Sequence, residues 1–270
     1  MYKVTSYPHG TFSWADCNST NQVESTKFLK TLMGWEHEDM PMGDGEVYTM
    51  LKQDGETVAA SSPMPKEMLD NSVPSHWQNY ITVTDVDALV DKVTELGGTV
   101  VAPPFDVFDS GRMMAIQDPT GATVNLWQTG THIGAGLVNT VGAMMWNELT
   151  TPDVQKATDF YGGLLGWQFQ KDDNQDYWYI LNNGRMNGGI SPMVAEMGDL
   201  PPMWTVYYNV ADIEASKAKV KELGGHIHME GTAEGIGSFA LIADSTGATF
   251  YIMQPEMVEA WEESESTASN

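Results

Sequence analysis

The feature that most constrains this chain is that it is written twice. Residues 12–35, FSWADCNSTNQVESTKFLKTLMGW, return as residues 144–167, MMWNELTTPDVQKATDFYGGLLGW. Trp14 answers Trp146, Phe28 answers Phe160, and Gly34-Trp35 answers Gly166-Trp167, all at one offset. A second block, Tyr80–Gln128, returns as Tyr207–Gln254. It carries Asp85-Val86 against Asp212-Ile213 and Leu96-Gly97-Gly98 against Leu223-Gly224-Gly225. It also carries Asp118-Pro119-Thr120-Gly121-Ala122-Thr123 against Asp244-Ser245-Thr246-Gly247-Ala248-Thr249. The period is too long for a solenoid and suits two paired domains, and 270 residues are enough for both.

Each first block reads as strand, turn, helix, stop. Val154, Ala157, Phe160, Tyr161, Leu164 and Leu165 recur at three- and four-residue steps, one apolar helical stripe. Thr150-Thr151-Pro152-Asp153 predicts the start: a capping Thr, Pro at the first helical position, Asp at the positive end of the dipole. Elsewhere the pattern predicts strands near 12–16, 46–52 and 57–60, with a helix near 21–33. His37–Gly45 reads as an acidic loop. The second block predicts a strand at 77–83, a helix at 85–96 and strands at 99–105, 112–117 and 122–127. The expected organisation is a leader over 1–10, a domain over 11–128 and a Gly- and Thr-rich linker over 129–141. A second domain over 142–254 and an acidic, Ser-rich tail over 255–270 complete it. A link over 191–202 joins the second domain's two units, and the tail holds a short helix near Glu256–Glu263.

Lys+Arg 13 against Asp+Glu 37 gives a net charge of -24. Such a surface repels phosphate backbones and anionic membranes, so nucleic acid and membrane are excluded as expected partners. No apolar run reaches the ~20 residues of a membrane helix, and the first ten residues lack a secretory pattern. The single cysteine, Cys17, permits no intrachain disulfide. A reducing cytoplasm fits. Duplication lets each half pair its own units, which favours a monomer, with a dimer possible.

Strand, helix and three strands, used four times in two pairs, resembles the vicinal oxygen chelate superfamily of glyoxalase, bleomycin-resistance proteins and extradiol dioxygenases. The residues carrying the resemblance are WNELTTPDVQKATDFYGGLLGW, the Leu-Gly-Gly turns and DPTGATVNLWQ. The likeness is nearest to the two-domain glyoxalase-related subgroup. It implies an α+β fold: four βαβββ units paired into two glyoxalase-like domains, each a curled mixed sheet forming a cup with helices outside. A helix with one apolar stripe covers one sheet face, and period-2 alternation leaves the other face to line the cup.

Metal-dependent members of that superfamily place His, Glu or Gln in the first strand of a unit and in its last strand. Carried onto this chain, those positions hold Trp14, Gln78 and Asn125 in the first half, and Trp146, Thr205 and Tyr251 in the second. A transition ion wants imidazole, carboxylate or thiolate donors, and indole offers no usable lone pair. The expectation is that no metal is bound and no cofactor is needed; a divalent metal ion is the alternative. His226 and His228, two apart on one strand, could chelate but lack a carboxylate partner in sequence.

Alternate strand residues make the cup interiors aromatic. Counting by twos from Trp14 and Trp146 gives Phe12 and Asp16 in one half and Met144 and Glu148 in the other. Tyr80, Trp127, Tyr207 and Met253 are expected on the same faces as Gln78, Asn125, Thr205 and Tyr251. Tyr177 and Tyr179 lie on an intervening strand whose facing is open. Apolar walls with a few polar groups describe a small-molecule site, while aromatic residues closing a core is the plain competing reading. Asp16 and Glu148 are equivalent. Either carboxylate, desolvated in such a cup, would bind or deprotonate a ligand group. Arg112 is expected to offset Asp106 and Asp109. The expected function is a glyoxalase- or bleomycin-resistance-like protein that binds a small aromatic or hydrophobic molecule without a metal ion. Sequestration and mild acid–base chemistry are both open, so whether it is an enzyme is left open. A metal-dependent lyase or dioxygenase is the alternative, and a non-catalytic structural protein a weaker one.

Overall fold

The computed structural model describes residues 3–43, 45–197 and 200–258, the Glu196 side chain aside. The first half runs β1 (Thr11–Ser19), α1 (Gln22–Met33), β2 (Glu36–Gly43), β3 (Glu46–Gln53) and β4 (Glu56–Pro63). It continues through α2 (Lys66–Asp70), β5 (His76–Thr82), α3 (Val90–Glu95), β6 (Thr99–Val107), β7 (Gly111–Gln117) and β8 (Thr123–Thr129). The second half runs β9 (Met144–Thr151), α4 (Val154–Leu165), β10 (Gln168–Lys171), β11 (Trp178–Asn182) and β12 (Arg185–Pro192). Then come β13 (Met203–Asn209), α5 (Ile213–Glu222), β14 (His226–Ala233), β15 (Gly237–Ala243) and β16 (Thr249–Pro255).

Each half closes into one eight-stranded mixed sheet, ordered β2-β3-β4-β1-β5-β8-β7-β6 and β10-β11-β12-β9-β13-β16-β15-β14. Within each, two βαβββ units meet where β1 pairs antiparallel with β5, and β9 with β13. The expected fold class is therefore the observed one. Among the described residues no helix is long and apolar enough to cross a membrane.

Local corrections have local causes. The stretch read as a loop over 37–45 is mostly the edge strand β2, paired along its length with β3 although every residue in it is exposed. A polar edge strand carries no hydrophobic period to read. The cap of α4 is Asp153, whose side chain accepts from the Lys156 N–H, and Pro152 lies outside the helix. The helix near 85–96 begins as a 3₁₀ turn, Asp87–Leu89. Ser191 and Pro192, read as part of a link, complete β12. Glu256–Val258 form no helix, and the rest of the tail lies outside the described residues.

The two halves pack through their helices. The Phe28 ring of α1 enters a core with Val220, Phe250 and Ile252 of the second half. Phe160, Tyr161 and Leu164 of α4 enter a core with Val86, Val93, Ile116 and Val124 of the first. The Leu-Gly-Gly repeats serve this exchange. A Cβ on Gly98 would stand 2.6 Å from the Phe160 ring, and one on Gly225 2.8 Å from Phe28, so only glycine admits the other half's phenylalanine. The repeated Gly-Trp does likewise. Trp35 Nε1 donates to the Gly142 carbonyl (2.8 Å) and Trp167 Nε1 to Gly10 (2.7 Å). Each indole thus holds the segment entering the other half's first strand. Asp118 and Asp244, in the repeated turns, accept from Tyr161 and Ser25 of the opposite half.

The helices cover one face of each sheet, and the cup residues stand on the other. A β-bulge between Phe12 and Trp14 sets what lines the cups. Counting by twos puts Phe12 with Trp14; the extra residue turns Phe12 away, onto Trp167 and Trp204 (ring centroids 5.6 and 4.9 Å). The matching bulge in the second half sends Met144 into the interdomain core and brings Met145 to the cup cluster.

The first cup is filled. Segment 132–138, expected as a plain linker, runs back along β1 and β4. The Ala135 N–H donates to Ser13 O, and Gly136 N–H to Thr57 O, both 2.8 Å. His132 sets its ring edge-on against Trp14 (4.7 Å), and Trp127 Nε1 donates to the His132 carbonyl. Ala135, Leu137 and Val138 join Trp14, Tyr80 and Trp127 in one buried cluster. Asp16 is sealed within, 4% exposed. Tyr48 and Tyr80 hydroxyls both donate to its Oδ2 (2.8 and 2.9 Å), and Oδ1 has no partner.

Burial pushes the Asp16 carboxyl up to about 6 from 3.8, against the pull of the two tyrosine hydrogen bonds. The folded state therefore holds the proton more tightly than the unfolded chain. The contribution of Asp16 to stability is greatest below about pH 4 and is lost as pH rises through about 6, by about 3 kcal/mol in all. Asp16→Asn removes this slope. The expected outcome is that its melting temperature gains on wild type as pH is raised from 5 to 8; parallel curves would contradict it.

Candidate functional site

The second cup is open. A cavity of about 980 Å³ lies over it, lined by residues of β9 and β11–β16, by Met257 and Val258 beyond the last strand, and at its edge by Pro8, Thr11 and Phe12 of the first half with Val138 and Asn139. Its floor is a row of rings. Trp146 on β9, Tyr207 on β13 and Tyr251 on β16 are in register on neighbouring strands. Tyr207 and Tyr251 stack at 4.1 Å with 10° between planes, and Phe239 meets Tyr251 edge-on at 6.1 Å. Methionines 145, 186, 229, 253 and 257 supply much of the remaining wall, a soft and polarizable lining.

Glu148 stands on β9 two residues past Trp146 and is half-buried at the cavity wall. Ser191 Oγ donates to its Oε1 and the Tyr207 hydroxyl to its Oε2, both 3.1 Å. The Tyr177 hydroxyl donates to the same carboxylate and accepts from Trp146 Nε1 at 2.9 Å. Burial pushes the Glu148 carboxyl above its ordinary value, while the hydrogen bonds from Tyr177, Tyr207 and Ser191 pull it back. Burial and the neighbouring carboxylate hold the Tyr177 and Tyr207 phenols well above theirs, so both remain donors. Two carboxylate oxygens offer about four acceptor positions. Three donors leave one for a ligand.

The first cup has the same circuit in shortened form. Trp14 Nε1 donates to Tyr48 (2.9 Å), and Tyr48 and Tyr80 donate to Asp16. Gln78 accepts from Tyr80 and Asn125 there, and Trp127 packs beside them. Of the residues singled out in sequence, Met144, Trp146, Glu148, Tyr177, Tyr179, Tyr207, Tyr251 and Met253 line the second cavity, joined by Phe12, which was expected in the first cup. Thr205 pairs with Glu148 across the ladder but is buried and does not line it. Trp14, Asp16, Gln78, Tyr80, Asn125 and Trp127 belong to the first cup and not to the cavity.

Sequence reasoning missed Ser191 and Gly189 and left Tyr177 unplaced. Tyr177 was recoverable by aligning the turns Gln53-Asp54-Gly55 and Asn182-Asn183-Gly184, which sets it opposite Tyr48. Gly189, beside Glu148 in the β12–β9 ladder, matches Ala60 beside Asp16. A Cβ on Gly189 would lie 1.8 Å from the Tyr177 hydroxyl oxygen. That glycine is what seats Tyr177 over the carboxylate. Arg112 pairs with Asp87 and Asp106, and not with Asp109.

The donors at the superfamily's metal positions do not suit a transition ion. In the second cup they are an indole that donates to Tyr177, a threonine hydroxyl and a phenol stacked on Tyr207. In the first they are an indole, Gln78 and Asn125, the last two hydrogen-bonded to each other. No three His, Cys, Asp or Glu among the described residues converge to hold one. His226 and His228 sit 4.9 Å apart, exposed on the edge strand β14.

A family model described as Glyoxalase/Bleomycin resistance protein/Dioxygenase superfamily matches residues 13–126 and 140–252. A Mycobacterium tuberculosis protein named "Putative glyoxylase CFP32" is 40% identical over 260 residues, covering 94% of this chain and 98% of its own. The "Anthracycline biosynthesis protein DauV" of a Streptomyces species is 29% identical over 265 residues, covering 93% and 95%. Among solved structures, the Mn(II)-bound glyoxalase from Novosphingobium aromaticivorans superposes with a TM-score of 0.64 at 14% identity, covering 93% of this chain and 83% of its own. The 2,3-dioxygenase LapB from Pseudomonas gives 0.63 at 11%, covering 93% and 95%. Duplicated sheet, duplicated motif and both matched segments agree: the chain belongs to the glyoxalase/bleomycin resistance protein/dioxygenase superfamily, with two glyoxalase domains in tandem.

Proposed function

We propose that this protein binds a small aromatic or hydrophobic molecule in its second cup without the help of a metal ion. Glu148 then binds, or takes a proton from, a donor group of that ligand. The observation that carries the reading is a half-buried carboxylate with one acceptor position spare, at the wall of an aromatic cavity of about 980 Å³. Rings and methionines supply apolar contact, and a few placed polar groups supply orientation, the usual division of labour in such sites. A relative named for anthracycline biosynthesis supports an aromatic ligand. The donor chemistry at the superfamily's metal positions supports the metal-free form. The first cup, by this reading, is a structural copy closed by segment 132–138.

Two measurements test it. Metal analysis of the purified protein after incubation with zinc, nickel, cobalt, manganese or iron is expected to find far less than one ion per chain. A near-stoichiometric ion would instead favour a metal-dependent lyase or dioxygenase. A thermal-shift screen of one- to four-ring aromatics and of aldehydes is expected to find aromatic ligands that stabilise the protein, by ~2.7 kcal/mol at 100 times the dissociation constant. Tyr251→Ala is expected to abolish that shift. Glu148→Gln is expected to weaken ligands bearing a donor by roughly tenfold, since a hydrogen bond to a charged group contributes about 1.5–3 kcal/mol. An unchanged affinity in Glu148→Gln would remove this residue from the reading.

A further inference from the structure

The shape of the second cup narrows the class of ligand, provided that the cup is the binding site proposed above. We infer that it is built for an uncharged, planar, fused-ring aromatic of three or more rings with a hydroxyl on its edge, the hydroxyl donating to Glu148.

Length comes from the floor. Trp146, Tyr207 and Tyr251 stand level on three adjacent strands, and neighbouring strands lie about 4.8 Å apart. The row therefore runs about 10 Å, the reach of three linearly fused rings and well beyond a single one. Volume agrees. About 980 Å³ is at the upper end of the roughly 300–1,000 Å³ of drug-sized sites, far more than a two- or three-carbon aldehyde fills. Planarity comes from the walls, since rings and flexible methionines favour flat, polarizable surfaces.

The edge group is set by Glu148. It flanks the row, two residues along β9 from Trp146 and bonded by the hydroxyl of the middle ring, Tyr207, and three of its acceptor positions are taken by hydroxyls. The remaining position calls for a donor, and a hydroxyl on the ring edge supplies one without breaking planarity. Charge excludes an anionic ligand. A carboxylate or sulfonate beside Glu148 would meet like charge at short range, within a chain of net charge -24.

The test uses the full-length protein and five probes: phenol, 2-naphthol, 2-hydroxyanthraquinone, its methyl ether, and anthraquinone-2-sulfonate. Binding is read by quenching of tryptophan fluorescence and by calorimetry, in wild type, Tyr251→Ala and Glu148→Gln. Affinity is expected to climb from phenol through naphthol to hydroxyanthraquinone. The methyl ether and the sulfonate are expected to bind at least tenfold more weakly than the hydroxy compound. In Glu148→Gln, the preference for hydroxyl over methyl ether is expected to shrink toward unity. Equal binding of hydroxyl and ether, or of phenol and the three-ring compound, in a Tyr251-dependent way overturns the inference while leaving the cup a binding site. If no probe binds in a Tyr251-dependent way, the reading of the cup itself falls with it.

Discussion

The exchange of phenylalanines across the domain boundary is the interaction on which the rest of this structure depends. Phe28 and Phe160 each leave their own half and fill the space that Gly225 and Gly98 leave open in the other. Burying such a ring contributes about 1.5–3 kcal/mol of transfer free energy. Its larger effect is geometric. It commits the helix-covered face of both sheets to the contact between the halves and leaves the opposite faces to form the cups. The tryptophans after each helix and the aspartates of each turn hold that arrangement with hydrogen bonds that repeat across the pseudo-symmetric interface.

Two such faces built from one motif have met different ends. Both keep the circuit of indole, phenol, carboxylate and second phenol. In the first, a short aspartate side chain sits under segment 132–138, and His132, held neutral by burial with its value pushed down to about 4, closes over Trp14. In the second, the longer glutamate reaches a cavity wall and Gly189 lets Tyr177 reach it. One methylene, one missing methyl and the course of segment 132–138 separate a buried carboxylate from one at a cavity wall. The same chemistry of desolvated acid and phenolic donors serves packing in one half and faces a cavity in the other.

Much of the fold was legible in the order of the residues. Repeats are a signal independent of propensity, and the helical stripes of α1 and α4 were strong because their buried faces are apolar. What escaped lay where burial does not mark the sequence. The edge strand β2 is exposed throughout, and the bulges at Ser13 and Met145 break the period by one residue without altering composition. That single step turned Phe12 onto Trp167 and Trp204 and packed Met144 against the interdomain core, so that both only edge the second cavity. Of the site, Trp146, Glu148, Tyr207, Tyr251 and Met253 were reached by counting along strands, because strand pairing preserves alternation away from the bulges. Ser191 and Gly189 were not, because a small residue shows its purpose only when its neighbours are in place.

The duplication, the four-unit plan and the lack of imidazole and carboxylate at the superfamily's ligand positions are matters of residue identity and spacing along one chain, so the amino-acid order suffices to establish them. Which cup stays open is settled in three dimensions. It depends on where segment 132–138 returns and on whether a residue on the neighbouring strand leaves room for a hydroxyl. Those are distances between residues far apart in sequence, and no local pattern encodes them.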